Sequence, residues 1–317
     1  MTQVTAETID FLASDGAVVQ LYRWGAASAS RAATRGVVQI AHGMGEHAGR
    51  YQALAEALVA AGYRVYANDH RGHGATAEPG LDGWMGADGW NRTITDACEI
   101  AQHIRRREAD LPLVLLGHSM GSMLAQQFIC RHGEQLDAAI LCGTPGINGA
   151  LQSWLVHTLA RFERRRLGPT AHSPLLQKMI FGDANTAFAG PGATGYEWLS
   201  RDHAQVAAYV EDPRCGFVLR AGSLCDLFAG TREARRHAFI ARIPGDLPVL
   251  VINGGDDPVH ASGANIERML RAYRPRIRHL ESRIYHGARH ELFNETNRDE
   301  VVRDVLAWLD RVLPGGG

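Results

Sequence analysis

The chain alternates short apolar runs with longer amphipathic stretches. Thr8 to Leu12 and Val18 to Trp24 read as two short strands joined at Asp15-Gly16, a favourable hairpin turn. Ala27 to Arg35 is small and polar, hence a loop. A repeating order follows. Val37 to Ala41 is a short apolar run of the kind found in buried strands. Tyr51 to Ala61 carries Leu54, Leu58 and Ala61 at helical spacing, and Gly62 stops it. Val65 to Ala67 predicts a strand, Ile94 to Ile104 a helix, Leu113 to Leu116 a strand, Ser119 to Cys130 a helix, and Ala138 to Cys142 a strand. Strand, helix, strand in series predicts an α/β fold with a mostly parallel central sheet and helices on both faces.

That rhythm breaks at Thr144-Pro145-Gly146. From there to Arg236 there are helical patches but no buried strand. It resumes at Val249 to Asn253, and Arg276 to Tyr285 holds a weaker, charge-rich strand. Asp299 to Leu313 closes the chain as a helix with Val302, Val305, Leu306, Leu309 and Leu313 on one face. The expected organisation is a core of residues 1–144 and 237–317, with a helical cap inserted over 145–236. Within that insertion Leu151 to Leu167 reads as a helix with Leu151, Trp154, Leu155, Leu159 and Phe162 on one side. Arg161, Arg164, Arg165 and Arg166 suit its C-terminal end. The favoured reading is a cap helix packed over the mouth of a site. A helix lying on a lipid surface is the alternative. Met179-Ile180-Phe181, Phe188, Trp198, Tyr209, Phe217 and Phe228 read mostly as cap core, with an acyl pocket as the rival assignment.

Composition narrows the function. The 317 residues include 33 basic and 34 acidic ones, a net charge of −1, so no excess of charge favours DNA, RNA or an anionic membrane over the whole chain. Lys178 is the one lysine; arginine supplies the remaining positive charge, which hints at a GC-rich, bacterial genome. Five widely spaced cysteines without a C-x-x-C argue against a disulfide framework or a thiolate zinc site, and fit a reducing cytoplasm. Met1 to Phe11 lacks a cationic start followed by an apolar run, so no secretory signal is expected. Nowhere do about 18 apolar residues run together, so no transmembrane helix is expected either.

The chemistry centres on Gly117-His118-Ser119-Met120-Gly121, which follows an apolar strand and opens a helix. In that setting G-x-S-x-G is a nucleophile elbow. The serine sits on a sharp turn, and side chains at 117 and 121 would collide with neighbouring backbone. A serine hydroxyl is a poor nucleophile until a base takes its proton, and in this arrangement an acid and then a histidine follow along the chain. Asn253-Gly254-Gly255-Asp256-Asp257-Pro258 comes directly after one strand, and His286-Gly287-Ala288-Arg289-His290 after another. Such strand ends are where parallel sheets hold their sites. His290 is favoured as base over His286, because it leaves more loop with which to reach inward. Asp257 has a modest edge over Asp256, since Pro258 pushes it toward extended geometry. A metal site on the two histidines lacks the helical H-E-x-x-H pattern. Glycine-rich His42-Gly43-Met44-Gly45 follows the Val37 strand. The backbone N–H groups of Met44 and Met120 are the candidate oxyanion donors.

Taken together, these segments resemble the monoacylglycerol lipase and lysophospholipase family of α/β-hydrolases, in its bacterial form. The resemblance is carried by His42-Gly43-Met44-Gly45-Glu46-His47-Ala48-Gly49-Arg50-Tyr51, by Asn68-Asp69-His70-Arg71-Gly72-His73-Gly74, by the elbow, by Asp257-Pro258-Val259 and by His290-Glu291. In the insertion, Trp198-Leu199-Ser200-Arg201-Asp202 and Asp212-Pro213-Arg214-Cys215-Gly216-Phe217 resemble that family's cap. The resemblance implies the α/β-hydrolase fold and a serine esterase without metal or organic cofactor. It implies Ser119 as nucleophile, Asp257 as acid, His290 as base, and Met44 and Met120 as oxyanion donors. Its substrates would be monoacylglycerols, lysophospholipids or similar acyl esters. Met44 stands where a small residue is common, and Ser122 where glycine is frequent. The same triad would serve an acyltransferase or a small-peptide hydrolase, and a ligand-binding protein with a dead site is the alternative from another class.

Overall fold

The structure, a computed structural model, describes residues 4–25, 34–260 and 263–313. Of the loop expected over Ala27 to Arg35, residues 27–33 lie outside the described residues. The chain opens with an antiparallel hairpin, β1 (Glu7–Leu12) and β2 (Val18–Trp24). The predicted alternation follows as β3 (Gly36–Ala41), α1 (Gln52–Ala60), β4 (Tyr63–Asn68), α2 (Gly89–Arg107), β5 (Leu113–His118), α3 (Met120–His132) and β6 (Ala138–Cys142). Five helices come next with no strand among them: α4 (Ala150–Leu167), α5 (Pro174–Phe181), α6 (His203–Glu211), α7 (Ala221–Ala234) and α8 (His237–Ile240). The alternation then resumes with β7 (Val249–Gly254), α9 (Ala264–Tyr273), β8 (Leu280–Tyr285) and α10 (Arg298–Val312).

Among the described residues the strands form one eight-stranded sheet in the order β1-β2-β4-β3-β5-β6-β7-β8. β1, β2 and β4 pair antiparallel, and the ladders from β4 through β3 to β8 are parallel. Side chains alternate across a strand, so one run of apolar residues feeds two cores. Leu113, Leu115, Leu141, Val249 and Val251 enter one layer, with α2, α3, α7 and α9 over it. Val114, Leu116, Ile140, Leu250 and Ile252 enter the other, under α1 and α10. Both faces being covered, the central strands are apolar throughout, and this is why they stand out in the sequence. β8 is an edge strand, exposed from Glu281 to Ile284. Its charges blunt an open edge and weaken its apolar signal.

The register aligns the strand ends from which the site is built. Ala41 pairs with Gly117, His118 with Cys142, and Gly254 with Tyr285. One expectation needs correction. The apolar face of α4 does not pack over the mouth of a site. Leu151, Trp154, Leu155 and Phe162 are exposed, at 69%, 51%, 52% and 57%, and the helix instead turns buried Ala160 inward and packs on α7.

Candidate active site

Ser119 is the hinge between β5 and α3. Its backbone takes φ 52° and ψ −116°, a conformation that non-glycine residues rarely adopt. Such strain persists only when the surroundings over-determine it, and here they do. The Ser119 N–H donates to the Cys142 carbonyl at 2.9 Å. The Ser119 carbonyl accepts from the Ser122 N–H at 2.9 Å and from the Ser122 hydroxyl at 2.6 Å. A serine at 122, in place of the frequent glycine, thus adds a clamp to the turn. The two flanking glycines are sterically enforced: a Cβ on Gly117 would overlap the Gly121 carbonyl, and one on Gly121 the Ala41 carbonyl.

The two other candidates meet. Asp257 Oδ2 lies 2.8 Å from His290 Nδ1, with both side chains almost wholly shielded from solvent. The second carboxylate oxygen accepts from the Val259 N–H at 2.9 Å, fixing its orientation. The rivals behave differently: Asp256 and His286 are both exposed. Burial opposes charging the His290 ring, but the Asp257 carboxylate outweighs it and raises His290 above the usual imidazole range. The ring is held between His118, 4.8 Å away centroid to centroid, and Trp198, 5.0 Å away. Burial, with the charge of His290 adding to it, pushes His118 down to about 3, so it stays neutral. Ser119 and His290 line the same cavity without a hydrogen bond between them, a looseness common before a substrate draws the pair together.

The loop after β3 is pinned from both sides. His42 Nδ1–H donates to the Gly43 carbonyl at 2.8 Å, while its Nε2 accepts from the His70 N–H at 2.9 Å. Glu46 accepts from the Gly43 N–H at 2.6 Å and from the Tyr51 hydroxyl at 2.9 Å. The N–H groups of Met44 and Met120 have no hydrogen-bond partner among the described residues. Met44 lines the cavity, and Met120 opens α3 with its side chain buried. One unpaired N–H at the start of α3 and one in the turn after β3 thus remain free to donate beside Ser119, the kind of donors that can hold a developing negative charge.

Sequence reasoning missed what ties these parts together. Arg50 bonds both oxygens of Glu291, at 2.5 and 2.8 Å, and Glu46 at 2.8 Å. Its guanidinium lies 4.7 Å from the centre of the Tyr209 ring of α6, whose hydroxyl donates to the Gly45 carbonyl at 3.0 Å. Burial would raise the Glu291 carboxyl, but Arg50 holds it down to about 2. The only sequence signal was the recurrence of Glu46, Arg50 and Glu291 within the quoted motifs, which carries no spatial information.

The cavity over Ser119 measures about 510 Å³, within the range of small-molecule sites. Its apolar wall comes largely from the insertion: Phe181, Trp198, Leu199, Tyr209, Phe217 and Val218. Of the aromatic residues read mostly as cap core, four therefore face the cavity, whereas Phe188 packs beside Trp198 and Phe228 lies elsewhere. One trio, His47, Asp212 and Cys215, brings three potential metal ligands within 4.8 Å of one another. Asp212 already pairs with His47 and Arg214, each at 2.9 Å, and burial pushes the Cys215 thiol up to about 12. That chemistry is an ion-paired cluster beside a protonated thiol, a poor donor set for a metal. Among the described residues no helix is long and apolar enough to cross a membrane.

Comparison with known proteins gives the family and the fold. The family model described as serine aminopeptidase, S33, matches residues 32–297. A monoacylglycerol lipase of Mycolicibacterium smegmatis is 29% identical over 287 residues, covering 87% of this chain and 88% of its own. A monoglyceride lipase of Mus musculus is 26% identical over 293 residues, covering 89% and 85%. The crystal structure of a thermostable carboxyl esterase from Bacillus coagulans superposes with a TM-score of 0.84 at 24% identity, covering 98% of this chain and 99% of that one. The fold is accordingly that of the α/β-hydrolases, and the chain belongs to the Hydrolase_4 family, serine aminopeptidase, S33.

Proposed function

We propose that the chain is a carboxylic-ester hydrolase acting on small acyl esters such as monoacylglycerols or lysophospholipids, through Ser119, His290 and Asp257. The observation that carries this reading is the buried 2.8 Å pairing of His290 with Asp257, with the ring on the same cavity as the strained Ser119. As the Ser119 Oγ–carbon bond forms, His290 Nε2 takes the hydroxyl proton. Asp257 holds the Nδ1–H tautomer and balances the imidazolium. The carbonyl oxygen becomes an oxyanion between the Met44 and Met120 N–H groups, each such donor being worth about 10²–10³ in rate. The carbon–alkoxide bond then breaks and the alcohol leaves with the His290 proton. Water, deprotonated by His290, attacks the acyl-serine and releases the acid, and Ser119 regains its proton.

Residues 145–236 act in this reading as a helical cap that supplies the acyl wall. The exposed apolar face of α4, with Arg161 and Arg165 beside it, touches an anionic lipid surface when substrate is collected. Reduced thiols suit a cytoplasmic setting. The family description also raises a second reading, release of an amino-terminal residue from a peptide. An aminopeptidase needs a carboxylate for the substrate ammonium, and the two carboxylates lining the cavity, Glu46 and Glu291, are both held by Arg50. Replacement of Ser119 by alanine tests the main reading: turnover of a short-chain acyl ester falls by about 10⁴–10⁶ with the fold retained by circular dichroism. Undiminished cleavage, or faster hydrolysis of an aminoacyl anilide than of the ester by the unaltered enzyme, refutes it.

A further inference from the structure

We infer that Lys178 selects acyl esters carrying a second, anionic group, a phosphate or carboxylate set apart from the bond that is cleaved. This deepens the ester-hydrolase reading and rests on it. Every other one of the 33 basic residues is an arginine, and the single lysine lies on α5, on the wall of the cavity that holds Ser119. The residue is exposed, and among the described residues no carboxylate lies within ion-pairing distance of its ammonium. About half of the arginines do find such partners; Arg50, Arg71, Arg131, Arg201 and Arg298, for example, each sit 2.5–2.8 Å from a carboxylate.

The charges around the cavity are sorted by depth. Beside the nucleophile, Glu46 and Glu291 are buried and share one guanidinium, that of Arg50, so the floor has more acid than base. At the mouth, Lys178 is the cationic group of the lining and is flanked by the neutral amide of Gln177. A substrate whose ester carbonyl reaches Ser119 thus finds a floor that repels an anion and a rim that attracts one. A neutral ester leaves the rim charge unused. An ester with an oxyanion at its far end satisfies it. A lysine ammonium, a compact charge with three donors on a flexible stem, suits phosphate or carboxylate without demanding one geometry. The pair would form in the ground state and persist through the reaction, so the effect falls on KM rather than on kcat.

The test uses matched pairs of esters. The first is a 1-acylglycerol against the 1-acylglycerol 3-phosphate of the same chain length. The second is the methyl ester of a monocarboxylic acid against the half methyl ester of the corresponding dicarboxylic acid. For each pair the ratio of kcat/KM, anionic over neutral, is measured in the unaltered protein and in Lys178→Gln, Lys178→Glu and Lys178→Arg. The ratio cancels any difference in the folded fraction. The expected result is a fall of about fivefold to tenfold in Lys178→Gln, through KM, for at least one pair. The fall is larger in Lys178→Glu, and the ratio is retained in Lys178→Arg. The pair that responds tells whether the anion sits on the alcohol as phosphate or on the acyl chain as carboxylate. Ratios unchanged in both pairs for Lys178→Gln and Lys178→Glu overturn the inference. If the unaltered protein cleaves none of the four esters, the ester-hydrolase reading itself fails and the inference goes with it.

Discussion

The strand-end loops and the outer helices of the insertion obey different tolerances. At the C-terminal edge of the sheet, Gly117 and Gly121 have no room for a methyl group, Ser119 is held in a strained turn, and Asp257 and His290 are buried against each other at 2.8 Å. In α4 and α5, by contrast, Leu151, Trp154, Leu155, Phe162, Leu175 and Met179 stand in solvent. A site that must place a proton within a few tenths of an ångström needs a rigid frame. A surface that only has to admit a flexible chain does not. Substitutions in the first region should cost orders of magnitude, whereas those of the solvent-exposed apolar side chains of α4, which line no part of the cavity, should cost little unless the substrate is presented on a surface.

The largest effect expected within this comparison separates two adjacent carboxylates. Asp257→Asn keeps the shape but offers His290 Nδ1 an amide, and kcat falls by about 10⁴. Asp256→Asn, at an exposed position one residue away, leaves kcat within about twofold. Steady-state kinetics on one soluble ester decides it. A greater loss at 256 would mean that the buried pairing is structural and that the acid has been misassigned.

This contrast also explains what could be read in advance. The central strands were legible because both faces are buried, which leaves continuous apolar runs such as Leu113 to Leu116. Ser119 and His290 were legible because steric exclusion at 117 and 121 fixes a short pattern, and because strand ends are the natural positions for a site. Asp257 was only narrowly preferred to Asp256, since alternation of direction along two residues does not say which one faces inward. Arg50 was opaque. Its meaning depends on Glu46 four residues before it and on Glu291, which lies 241 positions further along the chain, and no local pattern encodes the second of these. The α4 face was misjudged for a related reason. Helical periodicity identifies an apolar stripe, but whether protein, lipid or water meets it is decided by tertiary packing.

Acidity offers a finer probe of the rigid region, because its histidines shift in opposite directions. Asp257 raises His290, and in the proposed mechanism that ring takes a proton only when neutral, so the acid limb of the kcat/KM profile should lie above pH 6.5. His42, His70 and His73 form a buried cluster at the loop that follows β3, with His42 and His70 centroids 4.0 Å apart. Burial, reinforced by their mutual repulsion, puts His70 at about 3; burial puts His73 at about 4; His42 is lowered well below its usual value. Since the unfolded chain binds these protons first, their contribution to stability is complete above about pH 6.5 and is lost as the pH falls toward 4. Protonation of the raised His290 favours the folded state, so the urea midpoint should hold or rise slightly while activity is already declining, and then drop below pH 6.5 as the lowered histidines charge. Coincident loss of activity and stability would show that the site and its support titrate as one unit.

The smallest effect belongs to α4. Trp154→Ser and Leu155→Ser remove apolar surface that is already more than half exposed, 51% and 52%. The folded state loses little burial, and stability should change by no more than about 0.5 kcal/mol. Turnover of a soluble short-chain ester should stay within about twofold, because the helix contributes nothing to the cavity wall. Vesicles of anionic lipid change the situation. There the same side chains would enter the acyl boundary while Arg161 and Arg165 meet the head groups, and each lost contact weakens partition into the surface. The double variant should accordingly sediment less with such vesicles and hydrolyse ester embedded in them more slowly, with the deficit shrinking in neutral lipid. A variant that binds the vesicles as well as the parent protein would leave the exposed stripe without a lipid role. The contrast between an exacting site and a permissive surface would then stand on the sheet edge alone.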